Sequence, residues 1–180
     1  MTIGHSILSA ETFVVALIEN GCDRLIDIRR YPGSRRHPQF GQERLFESLA
    51  DAGIGGIWRE GLGGRRKAQL NSVNTGWRNE AFRGYADYMQ TPAFAEEIDW
   101  LLEQIQRSSL VIMCAEALPW RCHRSLVGDA VLARGLAVED IYVSSSGVSS
   151  RKPHKITGFA QTLHGRVWYP AENETPPLLF

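Results

Sequence analysis

The run Ser-Leu-Val-Ile-Met-Cys-Ala at residues 109–115 constrains the fold more than any other stretch of the chain. It is continuously apolar after its first residue, and Val111 and Ile112 are β-branched. A strand of that composition has no face to offer to water, so it belongs in the middle of a parallel sheet with helices on both sides. The flanking sequence supplies those helices and further strands. "MTIGHS" reads as a short first strand running into a loop. "SAETFVVALIENG" places Ala10, Phe13, Val14, Leu17 and Ile18 at helical spacing, with Ser9 as N-cap and Gly21 as stop. "RLIDIRR" is a second strand, and "YPGSRRHPQFG" after it is loop. "QERLFESLADAG" repeats the helix-then-glycine pattern, and "GGIWRE" is a short third strand.

The long polar stretch "GLGGRRKAQLNSVNTG" shows no periodicity, and loops of that length in a domain are commonly functional. "NEAFRGYADYM" sets Phe82, Tyr85, Ala86 and Met89 on one helical face. "TPAFAEEIDWLLEQIQ" has a Thr91 cap, Pro92 in the first turn and an apolar stripe from Phe94 to Ile105. "CHRSLVGDAVLARG" reads as a helix beginning at Cys122, "VEDIYVSS" as a strand and "SGVSSRKP" as a loop. The expected architecture is α/β: one three-layer α/β/α sandwich with a mostly parallel central sheet, formed by a single domain over residues 1–180. A proline-rich tail at about 171–180 is expected to be poorly ordered.

Such a sheet binds ligands beyond the carboxyl ends of its strands. Those ends carry His5 and Ser6, Asp27 and Arg29, Cys114 and Glu116, and Ser144 and Ser145. The densest of them is "CAEALPWRCHRSL", residues 114–126. A thiol at a helix N-terminus beside Arg121, His123 and Arg124 would have a lowered pKa, which marks Cys122 as the more reactive cysteine. Glu116 is placed to act as a base or to orient His123. A phosphatase-type Cys-x5-Arg loop is excluded, because six residues separate Cys114 from Arg121 and no glycine lies between them. Cys114, Cys122, His123 and His5 could supply soft metal ligands. However, neighbours on a helix point ~100° apart, so Cys122 and His123 could both ligate only from a non-helical turn. No metal ligand and no cofactor is assigned.

Ser34, Arg35 and Arg36 lie in the proline-bounded loop, and Gly63, Gly64 and Arg65 in the "LGGRRK" loop. Both sets are candidates to grip an anion. Trp58, Trp77 and Trp120 lie near basic loops, where they could stack on bases. The formal net charge is zero, so no global basic field draws the chain to nucleic acid or an anionic membrane. Three cysteines make no disulfide framework, and no secretory leader or membrane span is visible. The expectation is a reduced, cytoplasmic protein whose oligomeric state the sequence leaves open.

"TIGHS", "DIRRYPGSRRHPQF", "LGGRR", "WRNEAFRGYADYM", "MCAEALPWRCHRSLVGDAV" and "HKIT" occur in this order. Together they closely resemble the domain-of-unknown-function 488 family over nearly the whole chain. The resemblance implies a single α/β domain. It also implies shared residues at His5, Ser6, Asp27, Arg29, Pro32, Ser34, Gly63, Gly64, Tyr85, Cys114, Glu116, Cys122, His123 and Arg124, with no assigned reaction.

The functional expectation is a small enzyme acting on an anionic substrate, such as a phosphate-bearing molecule or nucleotide. Cys114 or Cys122 would be nucleophile or metal-ligating thiol, and Glu116 and His123 the acid/base pair. Asp27 would orient an arginine or the histidine, while Arg29, Arg36, Arg65, Arg121 and Arg124, with His5, Ser6, Ser34, Gly63 and Gly64, bind substrate. The alternatives are a nucleotide or nucleic-acid binding module without catalysis, and a metal-binding protein using the same cysteines and histidines.

Overall fold

The computed structural model describes residues 1–33 and 35–171. The proposed binding residue Ser34 and the proline-rich tail beyond Ala171 lie outside these residues. The chain runs β1 (Thr2–Gly4), α1 (Ala10–Glu19), β2 (Arg24–Asp27), α2 (Gln42–Asp51), β3 (Gly55–Trp58), α3 (Glu80–Tyr88), α4 (Pro92–Ile105), β4 (Leu110–Cys114), α5 (Arg124–Ala133), β5 (Glu139–Val143), β6 (Ser149–Pro153), β7 (Gln161–Leu163) and β8 (Arg166–Trp168). Six strands form one sheet in the order β3-β2-β4-β1-β5-β6, and β7 and β8 form a separate hairpin. All pairings in the main sheet are parallel except that of β6 with β5.

Alternation along β4 divides the core in two. Val111 and Met113 join Phe13 and Leu17 of α1 and Leu45 and Leu49 of α2 on one face. Leu110, Ile112 and Cys114 join Tyr85, Ile98, Leu101, Leu126 and Val131 from α3, α4 and α5 on the other. Every residue of β4 is buried, as a strand covered on both sides must be. The helices are closed by local chemistry read from the sequence. Ser9 Oγ accepts the Thr12 N–H at 3.0 Å, and Thr91 Oγ1 accepts the Phe94 N–H at 3.3 Å. No helix among the described residues is long and apolar enough to cross a membrane.

Two elements differ from the sequence expectation. Residues 149–153 form β6, an antiparallel edge strand, where "SGVSSRKP" suggested a loop. An exposed edge strand needs no alternating apolar face, so its pattern carries no strand signal. The helix expected to begin at Cys122 begins at Arg124. Pro119 opens a 3-10 turn over Pro119–Arg121 instead, and the Cys122 N–H closes that turn on the Pro119 carbonyl at 2.9 Å. Cys122 is therefore extended, with φ −140° and ψ 143°.

The order of connections places the site. From β1 the chain leaves through α1 on one face of the sheet, and from the adjacent β4 it leaves through α5 on the other. Adjacent strands whose outgoing connections part to opposite faces open a crevice at their carboxyl ends. The segments bounding this crevice begin at His5 and at Ala115.

Candidate functional site at the carboxyl edge of the sheet

Two groups of side chains stand at this edge, on opposite faces of the sheet. The first surrounds an open depression of about 620 Å³ whose walls include His5, Ser6, Arg29, Arg35, Arg36, Glu116 and Arg121. Asp27, fully buried, accepts the Arg29 backbone N–H at 3.0 Å, its Nε at 2.9 Å and its Nη2 at 2.5 Å. Arg29 Nη1 donates to the Phe40 carbonyl at 2.8 Å. Asp27 therefore fixes Arg29 in the wall and neutralises it. The remaining ionic groups are the exposed Arg35, Arg36 and Arg121 against Glu116, so the depression is net positive.

His5 stacks on Phe40, with ring centroids 4.1 Å apart. Its Nδ1 faces the Ser6 carbonyl at 3.0 Å, and because a carbonyl only accepts, Nδ1 carries the proton. Nε2 is then a buried acceptor with no partner among the described residues. Burial, followed by the nearby Arg29 charge, lowers the His5 pKa to about 4, so the ring is neutral at neutral pH. Ser6 holds this corner in a left-handed conformation, φ 46°, with its N–H on the Ala115 carbonyl at 2.8 Å.

The second group is Cys114, Cys122 and His123, on the α3–α5 face. Their ligand-type atoms all lie within 4.8 Å of one another. His123 Nδ1 is 4.0 Å from Cys114 Sγ and 3.7 Å from Cys122 Sγ, and its Nε2 is 3.2 Å from the Ile28 carbonyl. By the same reasoning Nε2 carries the proton, and the Nδ1 lone pair is directed at the sulfurs. Gly64 packs on the imidazole. A Cβ there would be 2.8 Å from Nδ1 and 3.2 Å from both Cε1 and Cγ, which puts it over the ring face. The Tyr85 ring lies 5.0 Å from the imidazole, with its hydroxyl on the Leu62 carbonyl.

The two thiols share one hydrogen bond, and it acts on them in opposite senses. A hydrogen bond from Cys122 lowers the Cys114 pKa in spite of burial. The hydrogen bond to Cys114, together with burial, raises that of Cys122. Cys122 lies just before the N-cap His123 and not within the first turn of α5. Cys22 is remote from both, and burial raises its pKa to about 11.

Other candidate residues have structural surroundings. Arg124 is fully buried. Its Nε donates to Thr2 Oγ1 at 3.2 Å, its Nη1 to the Glu116 carbonyl and its Nη2 to the Ala117 carbonyl at 2.7 Å. It ties down the loop between the cysteines and does not face the depression. The Glu116 side chain is exposed and has no hydrogen bond to His123; only its backbone joins the buried network. Gly63 is packed on the Arg30 backbone, where a Cβ would sit 2.9 Å from the Arg30 Cα. Arg65 is exposed, with its guanidinium 5.5 Å from the Tyr31 ring. Gly63, Gly64, Arg65 and Arg124 are thus not among the residues that line the arginine depression, although Arg65 lies beside Tyr31 of its wall.

A further network went unread in the sequence. His154 Nδ1 meets Asp140 Oδ2 at 2.8 Å and its Nε2 meets Asp129 Oδ1 at 3.1 Å, while the Tyr169 hydroxyl donates to Asp129 Oδ2 at 2.8 Å. The only sequence signals were an aspartate amid the buried residues of α5 and the histidine of "HKIT". Above this network lies a largely apolar cavity of about 620 Å³, walled by Trp77, Trp120 and Tyr142 with Lys152 and Lys155. Trp58 lies elsewhere, its Nε1 on the Arg29 carbonyl at 2.9 Å. Burial opposes His154 protonation, but the bonds to Asp129 and Asp140 outweigh it and raise the pKa to about 9.

A folded-state pKa above the unfolded value of 6.5 makes this stabilisation complete below pH 6.5 and lost as pH rises through about 9. We expect a loss on the order of 3 kcal/mol across that window. Urea denaturation at several pH values checks it. His154→Gln should flatten the dependence, and an unchanged slope in that variant would contradict the assignment.

Searches of curated proteins and of solved structures return no match. A model of the family described as "Domain of unknown function DUF488" matches residues 9–131, a span that includes β2, the arginine loop, Gly63 and Gly64, and the whole of "CAEALPWRCHRSL". The chain belongs to this family.

Proposed function

We propose that the chain is a small enzyme that binds the anionic group of its substrate in the arginine-lined depression. The Cys114, Cys122 and His123 cluster, behind the loop of residues 115–121, supplies the chemistry. The observation that carries this reading is the position of the depression. It lies at the carboxyl ends of β1, β2 and β4, and its wall includes Ala115 and Arg121, the chain neighbours of Cys114 and Cys122, whose sulfurs lie on the other face of the sheet. The substrate class it suits is a phosphate ester or nucleotide, whose oxygens would accept from Arg36, Arg121 and the remaining Arg29 donors. Glu116, exposed in this wall, supplies a carboxylate that can act as a base there.

Calorimetric titration with pyrophosphate tests this reading. We expect saturable binding that weakens at least tenfold, about 1.4 kcal/mol, in Arg36→Ala and in Arg121→Ala. Bound pyrophosphate should also slow alkylation of Cys114. Binding that is absent, or unchanged in both variants, would remove the reading.

The cavity under Trp77 and Trp120 favours a second reading, a nucleotide or nucleic-acid binding module without catalysis. Its aromatic walls suit a base, and Lys152 and Lys155 suit a phosphate. Quenching of tryptophan fluorescence by single-stranded oligonucleotides should then fall steeply with salt. A flat salt response would dismiss it.

A further inference from the structure

We propose that Cys114, Cys122 and His123 hold one zinc ion through Sγ, Sγ and Nδ1. The inference rests on the catalytic reading only for what the ion does; its occupancy stands on the geometry of the cluster. Zinc takes thiolate sulfur at ~2.3 Å and imidazole nitrogen at ~2.0–2.1 Å in a tetrahedral arrangement, which sets S···N separations near 3.6 Å. The observed 3.7 Å and 4.0 Å from Nδ1 to the two sulfurs need to close by only a few tenths of an ångström.

The neighbouring positions of Cys122 and His123 would forbid joint ligation on a helix. The 3-10 turn at Pro119 removes that objection by leaving Cys122 extended ahead of α5. Both side chains then converge on the strand end at Cys114. The imidazole is also prepared as a ligand. Its Nε2 faces a backbone carbonyl, the kind of partner that ligating histidines generally have, and this leaves Nδ1 unprotonated towards the sulfurs. Gly64 and Tyr85 contact the ring and hold its plane.

Charge points the same way. The sulfurs are almost wholly buried and share their cluster with Ile28, Leu62 and Tyr85. A dication between two thiolates leaves the site neutral, whereas two thiolates alone would be costly there. Binding releases one proton from each thiol, two per ion, to solvent. Among the described residues no fourth histidine, cysteine or carboxylate joins the group. Three protein ligands with a position left for water or a substrate atom is the arrangement of catalytic rather than structural zinc. In that role the ion would act as Lewis acid or lower the pKa of a bound water.

The test uses the full-length chain without an affinity tag, expressed with zinc and desalted without chelator. Elemental analysis should find about one zinc per chain. The content should fall at least tenfold in Cys122→Ser and in His123→Ala, and persist in Cys22→Ser. Titration of the demetallated wild-type chain with cobalt should produce a thiolate-to-metal charge-transfer band and the strong ligand-field bands of a tetrahedral ion. This readout keeps the proposal falsifiable if a variant does not fold. A folded chain that carries no zinc and gives no cobalt band overturns it. So does zinc retained in both ligand variants, or a metal-free chain with a Cys114–Cys122 disulfide. Pyrophosphate titration of the same metal-free chain reads the anion site separately, so loss of the zinc assignment is distinguishable from loss of the arginine depression.

Discussion

Arg124→Met is expected to lower the unfolding free energy by about 3–4 kcal/mol, the largest effect of any substitution outside the apolar core. The methionine matches much of the buried stem, so packing is nearly conserved and the loss is polar. Three acceptors, Thr2 Oγ1 and the carbonyls of Glu116 and Ala117, lose their donors together. Thr2 Oγ1 is buried, and an acceptor left unpaired there costs ~1–3 kcal/mol, while the part-buried carbonyls of Glu116 and Ala117 regain water at a part of that cost. Arg124→Lys should not rescue the protein, because one ammonium cannot follow the forked geometry to all three sites. Urea denaturation at neutral pH measures the effect, and a loss below 1 kcal/mol would show that the arginine is dispensable to the fold.

Gly4→Ala comes second. Gly4 ends β1 opposite Cys114, and a Cβ there would overlap the Glu116 carbonyl and lie 2.9 Å from Arg124 Nη1. The obstructing atoms are backbone and a buried guanidinium, which cannot swing aside as an exposed side chain would. We expect a loss of about 3 kcal/mol, measured in the same denaturation series. An alanine variant as stable as the parent would mean that the loop can retreat freely. Both substitutions act on the Glu116 carbonyl, so the double variant should lose less than the sum of the single losses. Additive losses would show that the two residues act on separate features.

The parts of the fold that were legible are those fixed by local pattern. Burial on two faces left β4 with no alternation, and the Thr91–Pro92 start and apolar stripe of α4 are local signals as well. The parts that were not legible depend on partners distant in sequence. Cys122 looked like the start of a helix because apolar periodicity follows it, yet Pro119 had already committed the preceding residues to a tighter turn. Arg124 looked like an anion binder because an arginine early in a helix is typical of both roles. The carbonyls it serves and its complete burial are not encoded in its neighbours. His154, Asp140 and Asp129 meet across 14 and 25 residues of chain, a spacing with no sequence signature.

The site divides in the same way. Strand ends brought His5, Asp27 and Cys114 to one edge, as the α/β pattern required. Strand parity then sent Cys114 to one face and His5, Asp27 and Arg29 towards the other. One reactive cluster in the linear reading is therefore two adjacent sites in space.

The outer edge of the sheet bears on how the protein behaves at high concentration. Strand β6 pairs with β5 on one side, and its last three residues are Arg151, Lys152 and Pro153. A second chain adding itself there would have to desolvate two cations and would find one backbone donor missing. That edge is a poor template for cross-β growth, so crowded or refolding chains are steered away from fibrillar association along this side of the sheet.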